Sequence, residues 1–318
     1  MNSNMRLIKN FVIATVLLLR VCPAAEIEHA ETLSNALEKL FRYYSQLPPM
    51  EIQYLNSYKA LSKGVKDQGS FQKGDPSYRE LLEIDTTVTF KIDGIRFLYE
   101  SKRTKQPSDG LRDVGIAAYD GKTFEIIPFD YTLVKTTDIA KVAKDVSYLC
   151  RSNPLFGPIA SLFPRENAGL DSRKLVNPEF WVDLAARAEL ARDVTVSNDE
   201  TYILKVTSGP MTHELALSKS LGFLPLKVTG RNSINGMTWT RTFINYKPYD
   251  IQGQTVVLPS EIQHVTFDQT GQRSYPEYKT TINSVKPLKA DSSTFNAASI
   301  NFTEIKDLDS GETVQIQP

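Results

Sequence analysis

The sequence predicts one α+β domain in which helices cover an antiparallel sheet of about eleven or twelve strands. Three observations predict it. Segments that alternate apolar and polar residues fill most of the chain after residue 50, and Asp93-Gly94, Tyr119-Asp120-Gly121 and Asn235-Gly236 stand between them as tight-turn signals. An amphipathic stripe precedes them at residues 28–47. A block at residues 136–190 interrupts the strands with helix-start signals. Strands that alternate in this way favour an antiparallel sheet with one wet face, and the inserted helices would cover the other. No composition break divides the chain, and no repeat is evident.

The N-terminal segment reads as an address. Arg6 and Lys9 precede an apolar run at residues 11–19, and Arg20 ends it. Nine residues span about 14 Å as a helix, short of a bilayer core of roughly 30 Å. With Cys22 and Ala24 at the small-residue positions, residues 1–24 are expected to be a secretory signal peptide. Export, with the periplasm as compartment, follows as the expectation. A lipid anchor on Cys22 is the second reading, although Arg20-Val21 match such a signal poorly. No other run reaches transmembrane length, so no span is expected in the mature chain. That chain keeps Cys150 alone and so has no intrachain disulfide. Residues 25–300 are read as a single domain and 301–318 as a C-terminal tail, frayed from Gly311 onward.

In the helix at 28–47, Leu33, Leu37, Leu40, Phe41, Tyr44 and Leu47 form the apolar stripe, with Glu31, Asn35, Glu38, Lys39 and Arg42 opposite. Pro48-Pro49 ends it, because proline cannot donate the next helical hydrogen bond. Residues 51–60 form the first strand, and 87–100 form a hairpin about Asp93-Gly94. Pairing outward from that turn sets Ile92 opposite Ile95, Phe90 opposite Phe97 and Val88 opposite Tyr99, all on one face, with Lys91 and Arg96 on the other. Residues 101–110 read as a polar loop whose Lys102-Arg103-Thr104-Lys105 is a basic tip. A second hairpin turns at 119–121 and returns through Phe124, Ile126 and Ile127.

Within 136–190, helices are expected at 138–149 and 154–163. Another starts at Asn177-Pro178-Glu179 and turns Phe180, Trp181, Leu184, Ala185 and Ala188 inward. Strands resume at Arg192. Tyr202, Leu204 and Val206 alternate, as do Leu215 and Leu217, and Leu221-Gly222-Phe223-Leu224-Pro225 turns into a longer strand. About Asn235-Gly236, Val228 and Ile234 share a face with Met237, Trp239 and Phe243, while Thr229, Arg231, Ser233, Thr238, Thr240 and Thr242 take the other. Residues 256–267 and 278–285 complete the set.

Composition excludes several classes of function. Lys+Arg and Asp+Glu number 37 each, so no electrostatic nucleic-acid binder is expected. The histidines are His29, His213 and His264. His213 and His264 fall on separate predicted strands that can approach each other, but a metal site needs three or four ligands, so they read as half-exposed strand residues. Cys150 reads as a small core residue. There is no nucleophile elbow, phosphate loop or dinucleotide fingerprint, so no cofactor and no enzyme activity are expected. Glu80 with Glu83, and Asp307 with Asp309, read as solvated surface, and Asn301-Phe302-Thr303 fits a glycosylation acceptor.

Five features together resemble the LolA/LolB-like outer-membrane lipoprotein-sorting carriers. They are the leader with its amphipathic helix, Asp93-Gly94-Ile95-Arg96-Phe97, the turn at 119–121, Leu221-Gly222-Phe223-Leu224-Pro225-Leu226-Lys227, and Thr281-Ile282-Asn283-Ser284-Val285-Lys286 followed by Phe295. The resemblance implies a half-barrel, a strongly curved antiparallel sheet whose concave apolar face is covered by helices and takes a lipid or lipoprotein acyl chain. Block 136–190 makes this chain longer than a minimal carrier, and no gating arginine matches. On this reading Phe90, Ile92, Ile95, Phe97, Tyr99, Trp239 and Phe243 line the concave face. If a helix fills that space they are core; if space is left they line a ligand pocket. The expected function is an exported, non-enzymatic binding protein. The alternative is an envelope interaction or sensor module with a filled core, which acts on an envelope protein partner through surface loops.

Overall fold

The computed structural model of the chain describes residues 24–61, 81–105, 114–127, 132–138, 141–142, 153–159, 188–196, 199–289, 294–297 and 302–316. Helix α1 (Ala24–Ser45) leads into β1 (Met50–Leu61), β2 (Leu81–Asp93), β3 (Arg96–Lys105), β4 (Val114–Tyr119), β5 (Phe124–Ile127) and β6 (Thr132–Thr136). After the block come β7 (Ala188–Val196), β8 (Asp199–Ser208), β9 (Met211–Ser218), β10 (Pro225–Asn232) and β11 (Thr238–Ile251). The chain closes with β12 (Gln254–Phe267), β13 (Arg273–Pro287), β14 (Glu304–Asp307) and β15 (Thr313–Gln315). All belong to one sheet in the order β15-β14-β6-β5-β4-β3-β2-β1-β13-β12-β11-β10-β9-β8-β7. Neighbours pair antiparallel except β14, which runs parallel to β6.

This order dictates how the chain must cross the sheet. β1 sits in the middle, paired with β2 on one side and β13 on the other. The strands up to β6 build one wing, and those from β7 to β13 build the other from its far edge inward. Between β6 and β7 the chain spans twelve inter-strand steps, on the order of 55–60 Å along the sheet. Segment 153–159 from that crossing lies on the face that α1 also covers, here called the inner face. Between β13 and β14 the chain returns over the outer face.

Most of the inner face is a continuous apolar surface. Ala36, Leu37, Leu40 and Tyr44 of α1 are buried against it, with Leu33, Phe41 and Leu47 partly buried at the margin. Asn35, Lys39 and Arg42 face solvent, as the stripe requires. Under the helix, β1 contributes Ile52 and Tyr54, β2 Val88, Phe90 and Ile92, and β3 Phe97 and Tyr99. In the other wing, Leu204 stands opposite Leu215 and Tyr202 opposite Leu217, so alternate residues of β8 and β9 supply matched cross-strand pairs.

Several expectations need correction. Among the described residues the sheet has fifteen strands with β15 and β7 at its edges and is not strongly curled, unlike the strongly curved half-barrel expected. The outer face of one wing is not wet: Leu98, Ile116, Ala118, Ile127 and Leu133 are buried there under Phe295 and Ala297 of the returning chain. With apolar side chains packed on both faces of β3–β6, no one-sided imbalance is left to roll those strands. Among the described residues α1 is the one helix, and the described cover of the inner face is α1 with the irregular segment 153–159. Residues 153–159 form turns, and Ala188 opens β7 instead of lying in a helix. The rest of the expected helices at 138–149, 154–163 and 177–190, the leader at 1–23, Cys22, Cys150, Glu80 and Asn301 lie outside the described residues. Lys102-Arg103-Thr104-Lys105 is the end of β3, not a loop tip. Residues 304–307 and 313–315, expected in a tail, form β14 and β15.

The first hairpin also turns one residue later than expected. Asp93 pairs with Arg96, Ile92 with Phe97 and Phe90 with Tyr99, so the two loop residues are Gly94 and Ile95. Gly94 alone takes a positive φ, of 60°, which is the demand of a turn with glycine first. The shift moves the pairing by two residues in total, so Phe90, Ile92, Phe97 and Tyr99 keep a common face, but Ile95 leaves the ladder for the turn. At the third hairpin Val228, Trp239 and Phe243 share the inner face as expected, whereas Ile234 sits in the turn, 81% exposed.

Asp309, just past β14, ties the end of the sheet to the start of the crossing. Its carboxylate accepts from Thr136 Oγ1 (2.7 Å), Thr137 N (2.6 Å), Thr137 Oγ1 (2.8 Å) and Lys141 Nζ (2.9 Å). The Lys141 ammonium first, then these hydroxyl and amide donors, hold its carboxyl well below the usual carboxylate range. A depressed folded-state pKa gives stability that is full above about pH 4, the unfolded value, and is lost as pH falls toward the folded one. Asp309→Asn is therefore expected to lower the urea midpoint at neutral pH, with the gap to wild type closing as pH drops below about 4. A gap that stays constant through that range would contradict the assignment.

Candidate functional site

The inner face carries two different surfaces that meet without a boundary. The larger is apolar and filled. Segment 153–159 begins with Asn153, whose Oδ1 accepts from Leu155 N (2.9 Å) and Phe156 N (3.3 Å) and so winds the chain into a turn. That turn drives Leu155, Phe156 and Ile159 into the core, each no more than 1% exposed. The Phe156 ring meets Phe90 edge-on at 5.6 Å and stacks on Tyr44 of α1 at 6.4 Å. Phe90 in turn stacks with Phe97, and Phe97 leans on Tyr119 and Phe124.

The cover is fastened by hydroxyl and guanidinium donors to backbone carbonyls. Tyr43 Oη donates to Val257 O (2.7 Å), Tyr44 Oη to Leu155 O (3.1 Å) and Arg241 Nη1 to Gly157 O (2.9 Å). Burial pushes the Tyr43 and Tyr44 hydroxyls above their ordinary value, so both stay protonated donors. Beside the end of α1, an open cleft of about 270 Å³ is bounded by Tyr43, Leu47, Pro48 and Val256.

The second surface crosses β9 to β13 near the other end of these strands. His213, Trp239, His264 and Tyr278 stand side by side on the inner face, all half-buried. Ring centroids are 5.5 Å apart for His213–Trp239, 5.5 Å for Trp239–His264 and 4.5 Å for His264–Tyr278, the last pair being parallel within 3°. Glycine makes the row continuous. Gly230 lies opposite both His213 and Trp239, and a Cβ there would sit 2.2 Å from the indole. The Arg241 guanidinium lies 5.2 Å from the Trp239 ring and 5.7 Å from that of Tyr278. Thr266 Oγ1 lies 3.3 Å from His264 Nε2.

The predicted site residues fall unequally on these surfaces. Phe90, Ile92, Phe97, Tyr99 and Phe243 are buried in the filled core, and Ile95 is half-buried at its turn. Trp239 belongs to the row. His213 and His264 do approach each other, but the indole stands between them, and no metal cluster is formed among the described residues. Arg241, only 3% exposed, was not legible as an inner-face residue, because charge in an alternating strand reads as solvent-facing. Its parity with Trp239 and Phe243 was the available signal. Of the carboxylates singled out from sequence, Glu83 pairs with Lys59 and Asp309 with Lys141.

No family model and no curated protein matches the chain. Solved structures do resemble it. A DUF1329 family protein from Desulfovibrio piger is similar over 84% of this chain and 98% of its own, at 10% identity and a TM-score of 0.47. PNGF-II aligns with 83% of this chain and 32% of its own, at 13% identity and 0.25. LprF from Mycobacterium bovis aligns with 82% and 95%, at 8% identity and 0.20. Among the described residues no helix is long and apolar enough to cross a membrane.

Two measurements address this geometry. Gly230→Ala is expected to push the indole out of the row and cost about 1–3 kcal/mol, the usual penalty of overpacking. Denaturant unfolding would show it, and an unchanged midpoint would mean the indole has room to move. In a Trp181→Phe background, His213→Ala and His264→Ala are each expected to change Trp239 emission, since each imidazole lies 5.5 Å from the indole; a spectrum unchanged in both variants would show that neither ring touches it.

Proposed function

We propose that the chain is an exported, non-enzymatic binding protein that holds a lipid, or the acyl chain of a lipoprotein, on the inner face of its sheet. The observation that carries this reading is the construction of the cover. Phe90, Phe97 and Phe243 are shielded by two segments outside the sheet, α1 and 153–159, which reach it through side-chain packing and a few donor–carbonyl ties. Segments of this kind can swing away while every strand stays paired. An acyl chain laid on the uncovered face would recover the lost burial at about 25 cal/mol per Å². The resemblance to the lipoprotein-sorting carriers belongs to this proposal, as does export to the periplasm behind a cleaved leader.

A second reading rests on the same packing seen the other way. Phe90 and Phe97 are 1% exposed, so no ligand reaches them while the cover is in place. If the cover never moves, the protein is an interaction module that meets an envelope protein through its surface.

Tyr44→Phe separates the two. It removes the tie to Leu155 O and keeps the ring packed on Phe156. Losing such a bond costs about 1 kcal/mol, so the uncovered state gains about fivefold in population. Binding of a fluorescent fatty acid is expected to tighten by a similar factor, and lipids should be recovered from natively purified protein by mass spectrometry. Lipid-free protein with no fatty-acid binding in either form would overturn the first reading and leave the second.

A further inference from the structure

We propose that the open cleft beside the end of α1 is a head-group subsite, and that its ligand is a monoacylglycerol, a neutral single-chain amphiphile whose head carries hydroxyls. The proposal deepens the acyl-binding reading and rests on it. The cleft, of about 270 Å³, lies between the end of α1 and the start of β12. At roughly 30 Å³ per water it has room for about nine, enough for a glyceryl ester head and the start of its tail. Its apolar side is Tyr43, Leu47, Pro48 and Val256, of which Pro48 and Val256 are buried. Its outer side is Gln46, Gln254 and Thr255, all exposed or at the rim, which offer amide and hydroxyl groups to a ligand. A polar mouth over an apolar depth is the layout that an amphiphile requires.

The apolar side of the cleft adjoins the face proposed to hold the acyl chain. Val256, 1% exposed, belongs to the same core as Leu258 and Ile262 further along β12. Tyr43 stands between the two, because it lines the cleft and its Oη donates to Val257 O at 2.7 Å. One side chain is thus both a wall of the cleft and a tie of the cover, and releasing the tie joins the cleft to the inner face. The surroundings favour a hydroxyl head over an anionic one. α1 ends here at Ser45, and a helix end leaves its last carbonyls without the amides of a next turn, so it attracts donors and repels anions. Pro48 and Pro49 follow and have no N–H to give those carbonyls. Arg42 also lines the cleft, but its guanidinium is engaged by Glu38 at 2.6 Å, and an anionic head would compete with that carboxylate. Glyceryl hydroxyls, by contrast, can donate to carbonyls and accept from the amides of Gln46 and Gln254.

Decanoylglycerol and methyl decanoate share a tail and an ester and differ in the free hydroxyls of the head. Calorimetric titration of the full chain with each, and with decanoate, tests the subsite. The glyceryl ester is expected to bind about tenfold more tightly than the methyl ester, and more tightly than decanoate. Gln254→Ala and Thr255→Val, made singly so that one still reads if the other fails to fold, are each expected to cut the preference between the esters about threefold. Tyr43→Phe removes the tie and keeps the ring, and is expected to tighten both esters by a common factor of about five. Equal binding of the two esters, or tighter binding of decanoate, overturns the subsite and leaves acyl binding standing. So does a preference unchanged in both Gln254→Ala and Thr255→Val. A Tyr43→Phe chain that tightens neither ester overturns the passage from cleft to inner face. Binding of none of the three ligands by any form overturns the acyl-binding reading, and the subsite falls with it.

Discussion

The constraint on which the rest of the structure depends is the placement of β6 and β7 on opposite wings of one open sheet. A chain that ends one wing and begins the other at its far edge has to pass over a face. The face it passes over is apolar from β5 to β9 and too wide for one helix of 22 residues to hide. The crossing chain is thereby recruited as cover. Leu155, Phe156 and Ile159 do on the inner face what core side chains of a second sheet would do in a sandwich. The same logic acts on the outer face, where the passage from β13 to β14 brings Phe295 over Leu98 and Ile116.

A cover made this way differs from a core made of paired strands. Strands are locked by ladders of backbone hydrogen bonds whose loss is cooperative. Segment 153–159 is locked by packing, its own turn bonds, and donors such as Tyr44 and Arg241 that reach its carbonyls. Opening it would expose apolar area but break no β-ladder, so the free energy separating covered from uncovered states is set by how well Phe156 fits between Phe90 and Tyr44. That fit is local, and under the proposed function a ligand of similar shape would replace it, so a filled inner face and a binding face would be two states of one surface.

Much of this was legible in the sequence wherever alternation and turn chemistry agreed. The helix stripe, the inward set Phe90, Ile92, Phe97 and Tyr99, and the shared face of Val228, Trp239 and Phe243 follow from two periods and three glycine turns. The one-step slip at Gly94 escaped because a turn with glycine first and a turn with Asp-Gly in the middle share a dipeptide, and a two-residue offset leaves the faces unchanged. What local pattern cannot carry is topology. That β1 becomes central, that β14 joins β6 in parallel, and that both faces of one wing are covered all depend on contacts between residues more than a hundred positions apart.

The row of rings shows the same limit at the candidate site. His213, Trp239, His264 and Tyr278 come from four strands, and each looks ordinary in its own segment: half-buried, polar-edged, in a run of threonines or charges. They form a row because Gly230 of β10 pairs with both His213 and Trp239 and Tyr278 pairs with His264, while Trp239 pairs with Thr266, the next inner-face position along β12 from His264. Gly230 decides it, since any side chain there would occupy the space of the indole and separate His213 from Trp239. A glycine in the interior of a strand weakens that strand and is kept where another group needs the space. Its position under an aromatic ring, between two imidazoles and beside a buried arginine, marks this end of the inner face as built to hold flat side chains together, whereas the rest of the face is built to bury whatever lies on it.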